Sequence, residues 1–249
     1  MNFGDIHSKA MLALELALDE SDSIGEGIDE GVYDANIFKA VFMAGGLGSG
    51  KSYIMKRVLA IKKGIGGLGF KVYESDAHLE RMLKDANMPL TNDAIQSPAG
   101  KEMRKNALDI SDRFAKNWLM GRLPIVYDGS GRNLDKMMKQ VNAVEALGYE
   151  VAMVFVKTTK ATSVERDAKR SRTLGTEVVE RNYDSIYGNL SAYQNYFGNN
   201  FILVDNEEFG REDLIGKAIK EVDTFVRRPV NNPIAKKWIA DELALKQRD

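Results

Sequence analysis

The stretch Gly45–Ser52, which reads GGLGSGKS, constrains this chain more than any other feature, because it fits the pattern G-x-x-x-x-G-K-[ST]. A strand-like run, Ile37–Met43, precedes it, and a helix-like run, Tyr53–Lys62, follows it. Glycines let the backbone turn tightly and aim successive N–H groups at one point, where the following helix adds its N-terminal partial charge. The pattern therefore predicts a loop that cradles the phosphates of a nucleoside triphosphate.

Two side chains of this loop have roles of their own. Lys51 can reach the β- and γ-phosphates, and the hydroxyl of Ser52 can bind Mg²⁺. We therefore expect ATP and Mg²⁺ as cofactors. An accidental glycine-rich turn is the alternative, which the flanking strand and helix disfavour. The expected nucleotide-binding residues are Gly45, Gly46, Leu47, Gly48, Ser49, Gly50, Lys51, Ser52 and Tyr53.

Composition excludes several other classes of protein. The chain has 249 residues with 35 basic and 36 acidic side chains, so its overall charge does not favour nucleic-acid binding. It has no cysteine and only two histidines, which excludes disulfides and thiolate or histidine-rich metal sites. No apolar run approaches a membrane span, and residues 1–5 lack the character of a signal peptide. We expect a soluble cytoplasmic protein that does not bind membranes.

The sequence divides into three parts. Residues 1–36 combine a predicted helix, Met11–Leu18, with an acidic stretch. This stretch is interpreted as a solvated linker, with an acidic arm that shields the active site or binds a basic partner as the alternative. Residues 37–228 form the predicted catalytic domain. Residues 229–249 begin within a break at Arg228–Pro233 and contain an amphipathic helix that we expect to pack back on the domain, with partner docking as the alternative.

Strand and helix patterns alternate from residue 37 onward. Ser97 with Pro98, Asn133 and Thr176 are predicted to start helices, and the last of these is expected to continue through Phe197. Alternation of this kind predicts an α/β fold with a parallel sheet covered on both faces and ligands at the carboxyl ends of the strands. The predicted strands are Phe38–Ala44, Phe70–Ser75, Leu123–Asp128, Tyr149–Val156 and Phe201–Asp205.

Acidic residues end two of these strands. Asp76 follows the second strand and Asp128 ends the third, so both are expected beside the phosphates. An aspartate in this position can organise Mg²⁺ or accept a proton from an attacking hydroxyl. The alternative for either residue is a capping role at the start of the next helix.

Arginines follow at two places. Arg132 lies four residues after Asp128, beyond two glycines, and can bind an oxyanion of the acceptor with two hydrogen bonds. Farther on, four cations fall within seven residues, and three of them are arginines: Arg166, Arg170 and Arg172. We interpret this segment as a mobile lid that supplies positive charge over the phosphates, with a solvated helix face as the alternative.

Taken together, the loop at Gly45–Ser52, Ser75-Asp76, the run DGSGR at Asp128–Arg132, GYEV at Gly148–Val151 and the arginine-rich segment resemble zeta-toxin-like P-loop kinases, especially those carried by bacteriophages. The resemblance spans about Phe38 to Phe225. It implies a P-loop NTPase fold of the adenylate-kinase-like kind, a three-layer αβα sandwich with five parallel strands in the order 2-3-1-4-5.

The same resemblance implies roles for individual residues. It implies Asp76 as the general base and Arg166, Arg170 and Arg172 in a short lid. The run at Asp128–Arg132 also resembles adenylate kinases, in which the aspartate helps to organise Mg²⁺ and the arginine holds the phosphate of the acceptor. The chain departs from the toxins in having Asp128 where they often have glutamate.

The leading hypothesis is a kinase that moves the γ-phosphoryl group of ATP to a hydroxyl or phosphate of a nucleotide, sugar nucleotide or similar small acceptor. A second hypothesis is a nucleic-acid kinase acting on a 5′-hydroxyl or a hydroxymethylated base, guided by basic residues of one helix: Lys101, Arg104, Lys105, Arg113 and Lys116. A third is an NTP-driven switch or motor. The absence of an Asn-Lys-x-Asp motif disfavours a Ras-like GTPase.

Overall fold

A computed structural model of the chain describes residues 32–34, 36–59, 68–169, 173–208 and 210–247. The predicted helix at residues 11–18 and most of the acidic arm lie outside this part. The same holds for the last residues of the helix-like run after the glycine-rich loop, and for Arg170 and Arg172.

Five strands and ten helices make up the described fold. The strands are β1 (Lys39–Gly45), β2 (Lys71–Tyr73), β3 (Ile125–Asp128), β4 (Glu150–Lys157) and β5 (Phe201–Asp205). The helices are α1 (Lys51–Val58), α2 (Asp76–Asp85), α3 (Asn92–Gln96), α4 (Pro98–Met120), α5 (Leu134–Ala146), α6 (Lys160–Ala168), α7 (Thr176–Gly188), α8 (Leu190–Phe197), α9 (Glu212–Arg227) and α10 (Pro233–Lys246).

The strands form one parallel sheet in the order β2-β3-β1-β4-β5, which confirms the order that the resemblance implies. The central strand β1 is buried along its whole length, and six consecutive residues of β4 are buried. Strands covered on both faces lose the alternation of apolar and polar residues, as the sequence of β4 predicts.

Alternate residues of β1 face two separate hydrophobic cores. Phe42 points to the side covered by α4, α5, α7, α8 and α10. Val41 and Met43 point to the other side, which α1 and α9 cover. This is the three-layer arrangement expected of the fold class, and it leaves the loops at the carboxyl ends of the strands to form the site.

Two predicted helix starts are confirmed. The hydroxyl of Ser97 accepts a hydrogen bond from Gly100 N at 3.1 Å, with Pro98 as the first helical residue. The side chain of Asn133 accepts one from Lys136 N at 2.8 Å. These contacts satisfy amide groups that the first turn of a helix leaves without partners.

The prediction for Thr176 is wrong. Gly175 occupies the cap position with φ +87°, and Thr176 is the first helical residue. The predicted single helix through Phe197 is also two helices, α7 and α8, separated at Asn189. The amide of Asn189 donates to the carbonyl oxygens of Gly131 and Arg132, both at 3.0 Å, so a contact with a distant loop accompanies the break.

The C-terminal helix α10 packs back on the domain beside the start of β1, as predicted. The Trp238 ring lies 5.4 Å from the ring of Phe38, centroid to centroid, and Ala235 is fully buried. Close to this contact, the ammonium of Lys39 pairs with Glu150 at 2.5 Å and donates to the carbonyl of Arg228 at 2.8 Å. The tail is therefore part of the fold at the amino end of the sheet.

Candidate nucleotide and acceptor site

The glycine-rich loop connects β1 to α1 in a conformation that depends on its glycines. Gly48 and Gly50 have φ of +75° and +84°, and Gly50 is the cap residue of α1. A Cβ at Gly48 would lie 2.8 Å from the carbonyl oxygen of Ser163, and a Cβ at Gly45 would lie 2.5 Å from that of Val156. Only glycine lets the loop pass this close to neighbouring backbone while curving its amides inward.

A cleft of about 560 Å³, called here the P-loop cleft, opens in front of this loop. Lys51, Asp76, Asp128 and Arg166 all line it. The sequence prediction that residues from the loop, two strand ends and the arginine segment share one site is therefore consistent with the geometry. Of the predicted nucleotide-binding residues, all but Gly45 and Ser49 line the cleft.

The ammonium of Lys51 lies over the start of the loop. It donates to the carbonyl oxygens of Gly45 and Gly46 at 2.9 and 3.2 Å. Ser49 is fully buried, and its carbonyl accepts a hydrogen bond of 2.7 Å from the amide of Asn206. Gly45 and Ser49 thus shape the loop from behind, whereas the other predicted residues face the cleft.

Arg166 lies on α6 and is anchored by backbone groups. Its guanidinium donates to the carbonyls of Asn206 and Glu207 at 2.9 and 2.7 Å, and more weakly to that of Gly48 at 3.4 Å. The carboxylate of Glu207 in turn accepts from Thr159 N at 2.6 Å. These contacts join α6, the end of β5 and the glycine-rich loop into one unit.

Three carboxyl groups meet at the ends of β2 and β3. Burial raises the pKa of the Asp128 carboxyl, and the charge of Asp76 adds to this effect while Lys51 opposes it. Burial, followed by the charges of Asp128 and Asp76, raises the pKa of Glu74. Like charges placed together in a partly buried site favour binding of a cation.

The loop after β3 is fixed to both neighbours. Its Ser130 carbonyl accepts from Gly45 N at 3.0 Å, and its Gly131 carbonyl accepts from the hydroxyl of Tyr193 at 2.8 Å. Gly131 has φ +76°, and a Cβ there would lie 2.8 Å from the Cβ of Ala44. The loop therefore presents Asp128 to the P-loop cleft in one defined orientation.

Arg132, at the end of this loop, does not line the P-loop cleft. Its guanidinium donates to the amide oxygen of Asn182 on α7 at 2.9 Å. It lines two adjacent depressions instead, one of which shares Asp128 with the P-loop cleft. Arg132 is therefore near Asp128 but outside the cleft that the glycine-rich loop lines.

Sequence reasoning missed two members of the site. Lys169 lines the P-loop cleft, and within a run of four cations nothing in the sequence sets this lysine apart from the arginines. Asn206 holds the glycine-rich loop, and a single asparagine after a strand carries no sequence signal for such a role.

The residues present fit a nucleoside triphosphate with its metal. The curved glycine-rich backbone and Lys51 suit the phosphates, and Ser52 and Asp128 supply oxygen ligands of the kind that Mg²⁺ prefers. Within the described ranges, no group of three or more His, Cys, Asp or Glu side chains is arranged to hold a metal on its own. Phosphate oxygens would have to complete the coordination.

Comparison with known families decides the classification. The family model described as Zeta toxin matches residues 34–212, which is well over half of the chain. The chain belongs to the zeta toxin family. It is a P-loop kinase, a phosphotransferase with the P-loop NTPase fold. No curated protein matches it, and none of its described helices is long and apolar enough to cross a membrane.

Several solved structures are similar. One chain of the AvrRxo1-ORF1:AvrRxo1-ORF2 complex, in a structure with ATP, has 14% identity and a TM-score of 0.54, with 82% of this chain and 63% of that chain covered. A gluconokinase from Sinorhizobium meliloti 1021 has 16% identity and a TM-score of 0.46, with 76% and 94% covered. A shikimate kinase from Acinetobacter baumannii, in complex with shikimate, has 15% identity and a TM-score of 0.46, with 77% and 96% covered. The first of these likenesses shows a shared fold.

Proposed function

We propose that this kinase transfers the γ-phosphoryl group of ATP to a hydroxyl group of a small acceptor, such as a nucleotide or a sugar nucleotide. The observation that carries the proposal is the placement of Asp76 and Asp128 in the same cleft as Lys51. ATP as the donor is supported by family membership and by the structure of the AvrRxo1 complex with ATP.

The glycine-rich loop and Lys51 bind and orient the triphosphate. Backbone amides curved toward one point suit the β-phosphate, and the Lys51 ammonium suits the charge shared by the β- and γ-phosphates. Ser52 and Asp128 would hold Mg²⁺, which supplies charge neutralisation at the phosphate oxygens when bound. Burial raises the pKa of the Asp128 carboxyl, and a bound cation would stabilise its charged form.

Asp76 is the proposed general base. It takes the proton of the acceptor hydroxyl while the hydroxyl oxygen forms a bond to the γ-phosphorus and the bond from that phosphorus to the leaving ADP oxygen breaks. Asp76 is the first residue of α2, exposed at the cleft, and is therefore accessible to an acceptor. The Asp76 carboxylate accepts this proton directly, without a second residue as a relay.

Arginines complete the proposed site on both sides. Arg132 binds the acceptor, because it lines a depression that shares Asp128 with the P-loop cleft but does not line that cleft itself. Arg166 binds near the phosphates, and with Arg170 and Arg172 it forms the proposed lid. The anchoring of Arg166 to the carbonyls of Asn206 and Glu207 makes α6 the fixed base of that lid.

Transfer from γ-labelled ATP tests the proposal. The protein is incubated with nucleosides, nucleotides, sugar phosphates and sugar nucleotides, and labelled products are separated from free phosphate. A labelled acceptor that depends on Lys51 supports a small-molecule kinase. Free phosphate alone, with every acceptor class, would instead support an NTP-driven switch.

A nucleic-acid acceptor is the second candidate, and one surface favours it. Three rings stack beside the helix that begins at Asp76: His78 lies 6.0 Å from Phe114, which lies 5.9 Å from Trp118, with interplanar angles of 13° and 17°. Phe114 is 48% exposed, whereas His78 and Trp118 are partly buried, and an exposed ring of this kind can stack with an unpaired base. Single-stranded oligonucleotides with a 5′-hydroxyl belong in the same labelled-ATP assay, and labelled DNA or RNA in preference to small acceptors would favour this candidate.

A further inference from the structure

The C-terminal helix α10 is covered much less than its sequence predicts. All of its residues are described, and Ala235 is the one among them that is buried, whereas five residues of the similar helix α9 are buried. A helix with apolar residues on every side is normally buried on every side, so α10 has apolar surface that the described part of the chain leaves open. The apolar residues of α10 are Ile234, Ala235, Trp238, Ile239, Ala240, Leu243, Ala244 and Leu245.

The open surface is largest at the last turn of α10. Leu245 follows Trp238 by seven residues, which places both side chains on the same face of the helix. The Trp238 ring packs on Phe38, with 5.4 Å between the ring centroids, whereas Leu245 is 55% exposed. The face that binds the domain at Trp238 therefore continues beyond that contact and ends in an exposed leucine.

The first described residues lie beside this same turn. The ring centroid of Tyr33 is 5.6 Å from the ammonium of Lys246, the residue that follows Leu245. Tyr33 is itself 74% exposed. Residues 1–31 are therefore joined to the domain next to the open end of α10, at the amino end of the sheet.

These joined residues include one apolar run, Met11–Leu18, which reads MLALELAL and has Glu15 as its single charge. Fourteen residues, 19–32, connect the run to Tyr33. Extended, they could span about 45 Å, which exceeds the length of about 21 Å expected for a helix of the size of α10. The run is therefore long enough in reach, and apolar enough, to cover the last turn of α10.

We propose that Met11–Leu18 packs on the face of α10 that ends at Leu245. A segment of the same chain is favoured over a second copy, because tethering through fourteen residues gives it an effective concentration on the order of 1 mM at this surface. The acidic stretch between Leu18 and Tyr33 is then held at both ends beside α10, at the opposite end of the sheet from the P-loop cleft. This inference does not depend on the proposed function.

The absence of cysteine from the chain permits a direct cross-linking test. In the full-length protein, Leu245→Cys is combined in turn with Leu14→Cys, Leu16→Cys and Leu18→Cys, and each double variant is oxidised mildly at micromolar concentration. A disulfide needs Cβ atoms about 3.5–4.5 Å apart, so only a segment that packs on this turn forms it efficiently. We expect at least one pair to give a monomer that migrates faster on a non-reducing gel and returns to normal migration on reduction.

Leu203→Cys provides the matched control. Leu203 is also an exposed leucine, at 45%, but it lies on the edge strand β5. Paired with the same three substitutions, it should form a disulfide at least tenfold more slowly than Leu245→Cys does. Equal rates at the two positions, or no disulfide with Leu245→Cys in any pair, overturn the inference. Disulfide-linked dimers in place of the fast monomer also overturn it, because they assign the surface to a second copy.

Hydrogen exchange of the protein without introduced cysteines gives a second measurement. The double variant Leu14→Asp/Leu18→Asp places charges in the apolar run but leaves the described domain unaltered. We expect amides of residues 240–247 to exchange at least fivefold faster in this variant, because the last turn of α10 loses its cover. Peptides of α9 are the internal control and should exchange at unchanged rates. Unchanged exchange at residues 240–247 would contradict the proposed contact.

Discussion

Charged residues gather at both ends of the parallel sheet, but in opposite ways. At the amino end, Lys39 and Glu150 pair at 2.5 Å, and the side chain of Lys39 is only 1% exposed. At the carboxyl end, burial and the charge of Asp76 raise the pKa values of both Glu74 and Asp128, and the charge of Asp128 adds to the effect on Glu74. The first group pairs opposite charges, whereas the second brings like charges together.

The pKa values follow this difference. Burial alone would raise the pKa of Glu150, but hydrogen bonds from Lys39 and the backbone of Asn231 hold it below its ordinary value. Burial and like charges raise the pKa values of Glu74 and Asp128. Burial lowers the pKa of Lys39 although Glu150 opposes that shift, so the pairing offsets part of the cost of burying the two charges. Like charges brought together at the edge of a sheet instead favour binding of a cation or a proton.

The largest effect expected at the carboxyl end comes from Lys51→Ala. Removing the ammonium takes away charge beside the transferring phosphoryl group, so we expect phosphotransfer to fall by about 10³-fold or more. Transfer from γ-labelled ATP measures it, and an unchanged circular dichroism spectrum shows that the fold persists. Unchanged turnover would contradict the assignment of the loop.

The second largest effect on activity is expected from Asp76→Asn. Loss of the base lowers kcat by about 10²-fold or more, with nucleotide affinity unchanged. Asp128→Asn should instead raise the Mg²⁺ concentration needed for half-maximal activity. A Mg²⁺ titration of both variants separates the roles, and exchanged phenotypes would mean that the two aspartates have exchanged roles.

At the amino end, Lys39→Met should affect stability rather than catalysis. It removes the nearest cation from Glu150, whose carboxylate keeps only Arg228 at 3.6 Å and the amide of Asn231 at 3.1 Å, so the free energy of unfolding should fall by about 2 kcal/mol. Denaturant unfolding measures the loss, and the double variant Lys39→Met/Glu150→Leu should recover much of it. If the single variant loses kcat at temperatures where it is folded, the separation between the two ends is wrong.

The arginine segment offers a smaller contrast. Hydrogen exchange across residues 163–176 should slow by about tenfold when a non-hydrolysable ATP analogue binds, because closed arginines gain the charge of the triphosphate. Peptides that contain Lys39 and Glu150 serve as the internal control and should exchange at unchanged rates. Equal protection of the segment with and without nucleotide would make it a fixed structural element.

The smallest expected effect is on the pH dependence of stability. An acid with a raised pKa in the folded state lowers stability once it ionises, and the penalty disappears as the pH falls through its folded pKa. Asp128→Asn removes that penalty, so the variant should be more stable than the native protein at pH 7. The advantage should shrink toward pH 4, as thermal unfolding at several pH values would show. A constant difference across this range would contradict the raised pKa of Asp128.

The sequence was sufficient for the half of the site that depends on local patterns. The glycine-rich loop needs only consecutive residues, and Asp128 could be placed because the carboxyl ends of parallel strands meet at one edge. Residues that act through distant partners could not be found. Asn206 binds a carbonyl 157 positions away, and no local pattern records that contact.

The predicted helix start at Thr176 and the predicted single helix through Phe197 are wrong for a related physical reason. Gly175 and Thr176 are adjacent residues that both favour a helix start, and the left-handed φ of Gly175 decided between them. The break at Asn189 accompanies its hydrogen bonds to Gly131 and Arg132, which no periodicity within the helix records. Local propensity is a weak guide where tertiary contacts compete with it.

The amino-end cluster also bears on how the protein is made. Lys39 and its carbonyl partner at Arg228 are 189 positions apart, so the ribosome must add nearly all of the domain before the first strand receives its last contacts. At roughly 5–20 residues per second this takes about 10–40 s, during which a strongly apolar central strand waits in an incomplete nascent chain. Contacts between such distant positions also slow folding after release. The incomplete chain therefore exposes an aggregation-prone strand that the finished protein buries.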